Sequence, residues 1–383
     1  MNERHGPRMI AEQGDEQHGI DNRSRMPQRR KPHGRISWRS LRRISGATAV
    51  LLAVVLGITP TGCYISRAAY EEARILSRRQ PIARLVADSA TDPVLRAKLS
   101  LVEEARRFAI DSLDLKAGKS FTAYSRLDRD TLVLVVSAAY RDRLERKTWW
   151  FPVVGRFPYK GFFDFPGALR TAESLRAEGF DVTVGPSSAF STLGWFNDPL
   201  VSTTVKADSV TLVNTIIHEL LHNTFFAKGA VSFNESFATF VGGRGVEHFF
   251  RARGDSASLR RAEDEWHDDL LLGAFWERTS NEIEQVFASL PDSASTQRIA
   301  ARDLVYARAR TRLVDSIGPQ LRTYPDGWSQ KVKLNNAVLL SRRVYAERLD
   351  RFDSVYVAEG RDLKRAIQRI IATHKDSVSR NDR

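Results

Sequence analysis

Apolar positions recur at helical spacing over most of the chain and at strand spacing only in a central window. Leu95, Leu99, Val102, Ala105 and Phe108 step by three and four, so residues 66–115 are predicted helical with a solvated charged face. Residues 131–137 are instead a continuous β-branched and apolar run, the pattern of a buried strand. An aromatic stretch at 147–155 leads into loose alternation at 157–163, where Pro158 marks an edge strand. Residues 166–179 predict a helix, with Asp164 near its start and Gly179 at its end. Residues 180–184 alternate cleanly as a strand, and 191–203 read as a loop. The C-terminal third returns to helical spacing. Residues 256–316, 335–349 and 361–373 predict helices, broken at 319–328 by a Pro325-Asp326-Gly327 turn. Arg298 to Arg312 reads as solvated surface, and 375–383 as a polar, disordered tail.

One helical window carries chemistry. Val213, Ile217, Leu220, Leu221 and Thr224 form an apolar stripe, Asp208 and Ser209 offer an N-cap, and Gly229 lies past the end. At the edge of that stripe stands His218-Glu219-Leu220-Leu221-His222. Residues four apart sit on one helix face, so His218 and His222 can point at one ion, with Glu219 beside them. Zinc suits two imidazoles and a carboxylate, and a catalytic site keeps a position open for water. The third ligand has to come from elsewhere. The next acid is Glu235, at the start of what reads as a second helix, and a helix–turn–helix could bring it back to the histidines. The position six past His222 is Lys228, so a third histidine at that spacing is absent, and His248 falls on the wrong face. Two plainer readings compete. The histidine string also arises by chance, and Ser232 to Glu235 fits a capping box in which Glu235 only closes the helix start.

Charge changes little. Of the net +13, +6 falls in residues 1–45, which hold eleven Lys and Arg against five Asp and Glu. The rest is spread with acids interleaved and no basic stripe, so nucleic acid is not an expected partner. The one cysteine, Cys63, rules out an intramolecular disulfide and a cysteine metal cluster. It follows a basic segment (27–45), an apolar run (47–58) and Pro60-Thr61-Gly62, which together read as an export signal ending in a lipid-acceptor cysteine. The apolar run is shorter than the ~20 residues a bilayer span needs. An uncleaved anchor with Cys63 incidental is the alternative, and translation starts at Met1 or Met26. Lipidation would place the protein in the bacterial envelope, facing the periplasm, and Tyr64 after the cysteine points to the outer membrane. The domain expectation is therefore a tail and signal at 1–62 and a single zinc-site domain at 63–383. That domain comprises a helical part (63–130), a catalytic core (131–250) and a helical lobe (251–374).

Several motifs together resemble a known family. They are residues 77–82, Lys147-Thr148-Trp149, residues 159–163, residues 191–199, the histidine motif, residues 233–240 and Asn335-Asn336-Ala337. The chain resembles the bacterial putative aminopeptidase family of predicted lipoprotein zinc peptidases, from Cys63 to about Phe250 with a weaker echo beyond. The Asn234-Glu235 step also resembles gluzincin aminopeptidases, in which that Glu is the third zinc ligand. The resemblance implies an aminopeptidase acting on peptides. It also implies cysteines where this chain has Trp150 and Arg156, and Gly242-Gly243 departs from it in a way expected to loosen the second helix.

The expected fold is α+β and zincin-like, with a small sheet beside the two ligand helices. The expected chemistry is zinc on His218, His222 and Glu235, with Glu219 as general base. The oxyanion donor is open among Tyr345, Tyr324, Tyr159 and His267. Strand addition of a peptide at residues 159–162 is a further expectation, with plain sheet packing its alternative. The alternatives to an enzyme are a membrane-anchored peptide-binding protein that cleaves nothing and a metal-free structural lipoprotein.

Overall fold

The chain order of the elements, in a computed structural model, follows the hydrophobic pattern closely. The structure describes residues 60–128, 131, 133–151, 155–187 and 199–381. The proposed signal, Met26 and most of the 191–199 motif lie outside the described residues. The N-terminal part is α1 (Pro60–Ser77), β1 (Gln80–Pro81), α2 (Ile82–Ala87) and α3 (Pro93–Asp111). Then come β2 (Ala123–Ser125), β3 (Val133–Ala139), β4 (Trp149–Phe151), β5 (Gly155–Phe157), β6 (Lys160–Phe162), α4 (Phe165–Ala177), β7 (Asp181–Ser187), β8 (Leu200–Val201) and α5 (Ser202–Val205). The helical remainder is α6 (Ser209–Thr224), α7 (Val231–Arg253), α8 (Ser256–Ala288), α9 (Ser295–Arg312), α10 (Trp328–Lys331), α11 (Asn336–Ala346), α12 (Leu349–Ala358) and α13 (Leu363–Asn381). The fold is thus mixed α+β, mostly helical, with small sheets.

The β-branched run becomes β3, the middle strand of an antiparallel sheet ordered β6-β3-β7. Its buried side chains Val136 and Ala138 pack with Val182 of β7 on Ala168, Ala172 and Leu175 of α4. Pro158 interrupts the 157–163 stretch, so that β5 pairs with β4 and β6 becomes a sheet edge, as a residue without an N–H should do. Trp150 and Arg156, at the positions where the family resemblance implies cysteines, are direct register partners across β4 and β5.

The principal helical neighbours of this sheet are α4 and α11. In turn α11 packs on α7 and α8, and α6 packs on α7 and α3. One apolar cluster joins Leu99 and Val102 of α3, Leu212, Ile216 and Leu220 of α6, Phe237 and Phe240 of α7, and Phe352 and Ile367 of the last helices. The residues from Leu56 to Arg383 form one compact unit.

Three expectations need correction. Arg298 and Arg302, read as surface, are 7% and 3% exposed. Arg302 bonds Asp181 at 2.7 Å and Asp303 at 2.7 Å, and Arg298 pairs with Asp292. The run looks solvated in sequence because the groups that bury it, Asp181 and the carbonyls of Arg141 and Asp142, lie far along the chain. Secondly, α13 continues through the segment read as a disordered tail, as far as Asn381. Thirdly, α7 is unbroken through Gly242-Gly243. A Cβ on Gly242 would meet Asn214 Oδ1 at 2.2 Å, and one on Gly243 would meet the Trp266 ring at 2.5 Å. These glycines admit neighbouring helices rather than loosening their own.

Candidate metal centre

Helix α6 is fixed at its start and along one side. Asp208 caps its start, accepting from Val210 N–H (3.0 Å), Thr211 N–H (3.1 Å) and Thr211 Oγ1 (2.8 Å). Val210, Leu212, Val213, Ile216, Ile217, Leu220 and Leu221 are buried. His218, Glu219 and His222 lie at the margin of that buried face, half-buried, so their backbone is held by packing. Their rings sit 5.0 Å apart, nearly perpendicular.

Helix α7 begins at Val231, earlier than the sequence suggested, with Ala230 as its N-cap. Ser232 is therefore inside the helix, and the capping-box reading of Glu235 fails. Asn234 does the work at this helix start. Its side chain exchanges two 2.8 Å hydrogen bonds with Ala227, donating to the carbonyl and accepting from the N–H. That clamp folds the short connection back and sets Glu235, the next residue, against the histidines. Glu235 Oε2 is 3.5 Å from His218 Nε2, and Oε1 is 3.7 Å from His222 Nε2.

Among the described residues, His218, His222 and Glu235 form a group whose ligand atoms all lie within 4.8 Å of one another. The donor set fits zinc: two imidazole nitrogens and a carboxylate, from two rigid helices. The separations fit as well. They are long for good hydrogen bonds, whereas two ligand atoms about 2.1 Å from one tetrahedral ion stand about 3.4 Å apart. His248, by contrast, is engaged elsewhere, with Nε2 2.8 Å from the Tyr356 hydroxyl.

Charge in the site is strongly coupled. Burial alone would raise the Glu235 carboxyl, but the adjacent imidazoles of His218 and His222 outweigh it and hold it at about 2. Burial lowers His222, while Glu235 and Glu219 more than compensate and leave it raised. His222 Nδ1 is buried without a hydrogen-bond partner among the described residues.

The four open oxyanion candidates separate. Burial, then the charges of Glu235, Tyr159 and Glu219, push the Tyr345 phenol up to about 12. Burial and Glu235 likewise raise Tyr159. Both phenols are thus close enough to feel the triad. A direct link explains the placement of Tyr345. Ser236, the residue after Glu235, donates to the Val344 carbonyl (3.0 Å) and accepts from Glu347 N–H (2.9 Å). Tyr324 instead packs against the Trp328 ring, 4.2 Å between centroids, and is raised by burial and then by Asp269. No described interaction joins it or His267 to the triad. The sequence contained no sign of Arg146, whose guanidinium acts on both site tyrosines; only its place near the aromatic stretch could have flagged it.

Cys63 falls in the first turn of α1. Among the described residues, no helix is long and apolar enough to cross a membrane. No curated protein and no solved structure matches the chain. A family model described as putative aminopeptidase does match, over residues 63–383, well beyond the Phe250 limit of the sequence resemblance. A match over most of the chain, centred on a His-His-Glu group that could hold a metal, means that the chain belongs to the putative aminopeptidase family.

Proposed function

We propose that the chain is a zinc-dependent peptidase of the bacterial cell envelope, acting as an aminopeptidase on a zincin-like fold. The observation that carries this reading is the convergence of His218, His222 and Glu235, from two helices, on one point beside Glu219. Zinc held by those three side chains would supply a Lewis acid for the scissile carbonyl and acidify a water. Glu219 accepts no hydrogen bond from the described residues, so both its oxygens are available. It takes the proton of the attacking water and passes it to the departing amine. Tyr345, kept protonated by its raised pKa, donates to the oxygen that gains charge as the carbonyl carbon becomes tetrahedral.

The test compares wild type with Glu219→Gln on a peptide library, with zinc content measured in both. Glu219→Gln should keep its zinc and lose hydrolysis by about 10²-fold or more. Equal turnover would overturn the mechanism, and zinc bound with no cleavage in either protein would favour a non-catalytic binding protein. New N-termini one residue in from the start of each peptide identify an aminopeptidase.

Envelope attachment rests on the basic segment, the apolar run and Cys63, and on a family match that begins at Cys63. The proposal is a lipid on Cys63 holding residues 63–383 at the periplasmic face of the outer membrane. Cys63→Ala should abolish incorporation of labelled palmitate and move the protein to the soluble fraction. A label that persists in the variant sinks the proposal.

A further inference from the structure

The mechanism leaves one charged group beside the site without a task. Arg146 follows a tight turn at the end of β3, where it forms an isolated bridge with Ala139. Tyr140 N–H donates to the Glu145 carbonyl (3.0 Å) and Lys147 N–H to that of Ala138 (2.9 Å). The turn is pinned from the helical side. Asn336 Nδ2 donates to the carbonyls of Tyr140 (2.8 Å) and Arg143 (3.2 Å), Arg298 Nε to that of Asp142 (2.8 Å), and Arg302 Nη1 to that of Arg141 (3.1 Å). The backbone of Arg146 is therefore rigid.

Its guanidinium spends one N–H on the carbonyl of Leu340 at 2.5 Å. Leu340 lies on α11, the helix that carries Tyr345. Among the described residues no carboxylate stands within ion-pairing distance of Arg146. Its neighbours are paired: Arg143 with Asp142 and Glu145, and Lys147 with Glu178. A half-buried guanidinium with no counter-charge is an unfavourable arrangement for a protein to keep without use. Helix α11 is also tied through Val344 and Glu347 to Ser236, the residue after Glu235, and the neutral phenols of Tyr345 and Tyr159 couple both to Arg146 and to Glu235. Its remaining N–H donors form a planar fork whose natural partner is a carboxylate.

We propose that Arg146 is a specificity-determining residue that binds a carboxylate of the peptide substrate, beside the Tyr345 and Tyr159 hydroxyls. This rests on the peptidase reading of the His218–His222–Glu235 site and adds a substrate class to it: peptides with a negative charge near the scissile bond. The carboxylate is the C-terminus of a short peptide or an Asp or Glu side chain. Arg146 acts on binding, not on the bond being broken.

The test is calorimetric binding to the full-length, zinc-loaded protein carrying Glu219→Gln, so that no probe is consumed. The probes are trialanine, trialanine amide and Ala-Ala-Glu amide. With Arg146 present, one or both acidic probes should bind at least 10-fold more tightly than trialanine amide. Preference for trialanine identifies the chain end, and preference for Ala-Ala-Glu amide the side chain. Arg146→Gln should erase the preference while leaving the neutral probe unaffected, and Arg146→Lys should retain part of it. Equal binding of acid and amide with Arg146 in place overturns the inference and needs no variant. So does a preference that survives in Arg146→Gln. Should that variant melt early, Arg146→Lys provides the comparison. Hydrolysis by the wild type is read separately. Cleavage without acid preference removes this inference alone, and acid-selective binding without cleavage removes the peptidase reading alone.

Discussion

Tyr345 carries the site's least local requirement. The His218–His222–Glu235 group that could hold a metal was legible in sequence because helix geometry relates His218 to His222, and because a carboxylate had to follow. Nothing local distinguishes Tyr345 from Tyr324 or Tyr159. The distinction comes from Ser236 bonding Val344 and Glu347, a contact between helices that no spacing rule contains. The same limit hid Arg302, whose partner Asp181 lies on β7. Tyr345→Phe keeps the ring and removes only the donor. Loss of one preorganised oxyanion donor should lower kcat about 10²-fold, about 3 kcal/mol, with KM and zinc content nearly unchanged. Steady-state kinetics with metal analysis decides this. A variant that loses zinc, or changes only KM, would place Tyr345 outside the reaction.

Helices α6 and α7 were both legible as elements, one from its apolar stripe and cap, the other from its position after a short break. The short connection also pointed to their meeting, but not to how closely they pack. A glycine pair reads as flexibility in a sequence, yet here it measures how tightly the helices meet. A Cβ on Gly245 would lie 2.9 Å from Ile217 Cγ2 and 3.1 Å from Ile217 Cδ1. Ile217 is fully buried and immediately precedes His218. The methyl of Gly245→Ala therefore has to push α6 away, since Ile217 has no space to yield. Overpacking of this kind costs about 1–3 kcal/mol, less about 1 kcal/mol regained in helix propensity. Because the push acts next to a ligand, metal affinity should fall along with the melting temperature. Chelator competition and thermal unfolding of the zinc-loaded variant measure the two effects. Unchanged values for both would show that the helices are loosely apposed.

Across the whole molecule, fastenings between distant segments hold the site helices in register with the sheet. Asn336, fully buried, accepts from the Tyr306 hydroxyl (2.7 Å) and donates its N–H to Asp181 (2.9 Å) and its amide to Tyr140 (2.8 Å). It thereby joins β7, the turn before Arg146, α9 and α11. The sequence showed Asn336 only as part of a motif, because its partners lie on other elements. A different long-range feature runs against stability. On α8, Asp268 is satisfied by Arg322 N–H (2.9 Å), Thr323 N–H (2.8 Å) and Thr323 Oγ1 (2.7 Å). Its neighbour Asp269 accepts no hydrogen bond from the described residues. Burial first, then the charges of Glu265 and Asp268, push it up to about 7. An unfolded Asp releases its proton near 3.9. Between those values the folded state holds a proton that the unfolded state has lost, so the contribution of Asp269 to stability falls as pH rises from about 4 to 7 and stays low above. Asp269→Asn removes the titration and keeps the shape. It should match wild type at pH 4 and exceed it at pH 8 by on the order of 1–2 kcal/mol, discounted for the partial exposure of the group. Melting curves of both proteins at the two pH values, at equal zinc loading, measure the difference. Equal melting temperatures at pH 8 would mean that Asp269 is already ionised and paired in the folded protein.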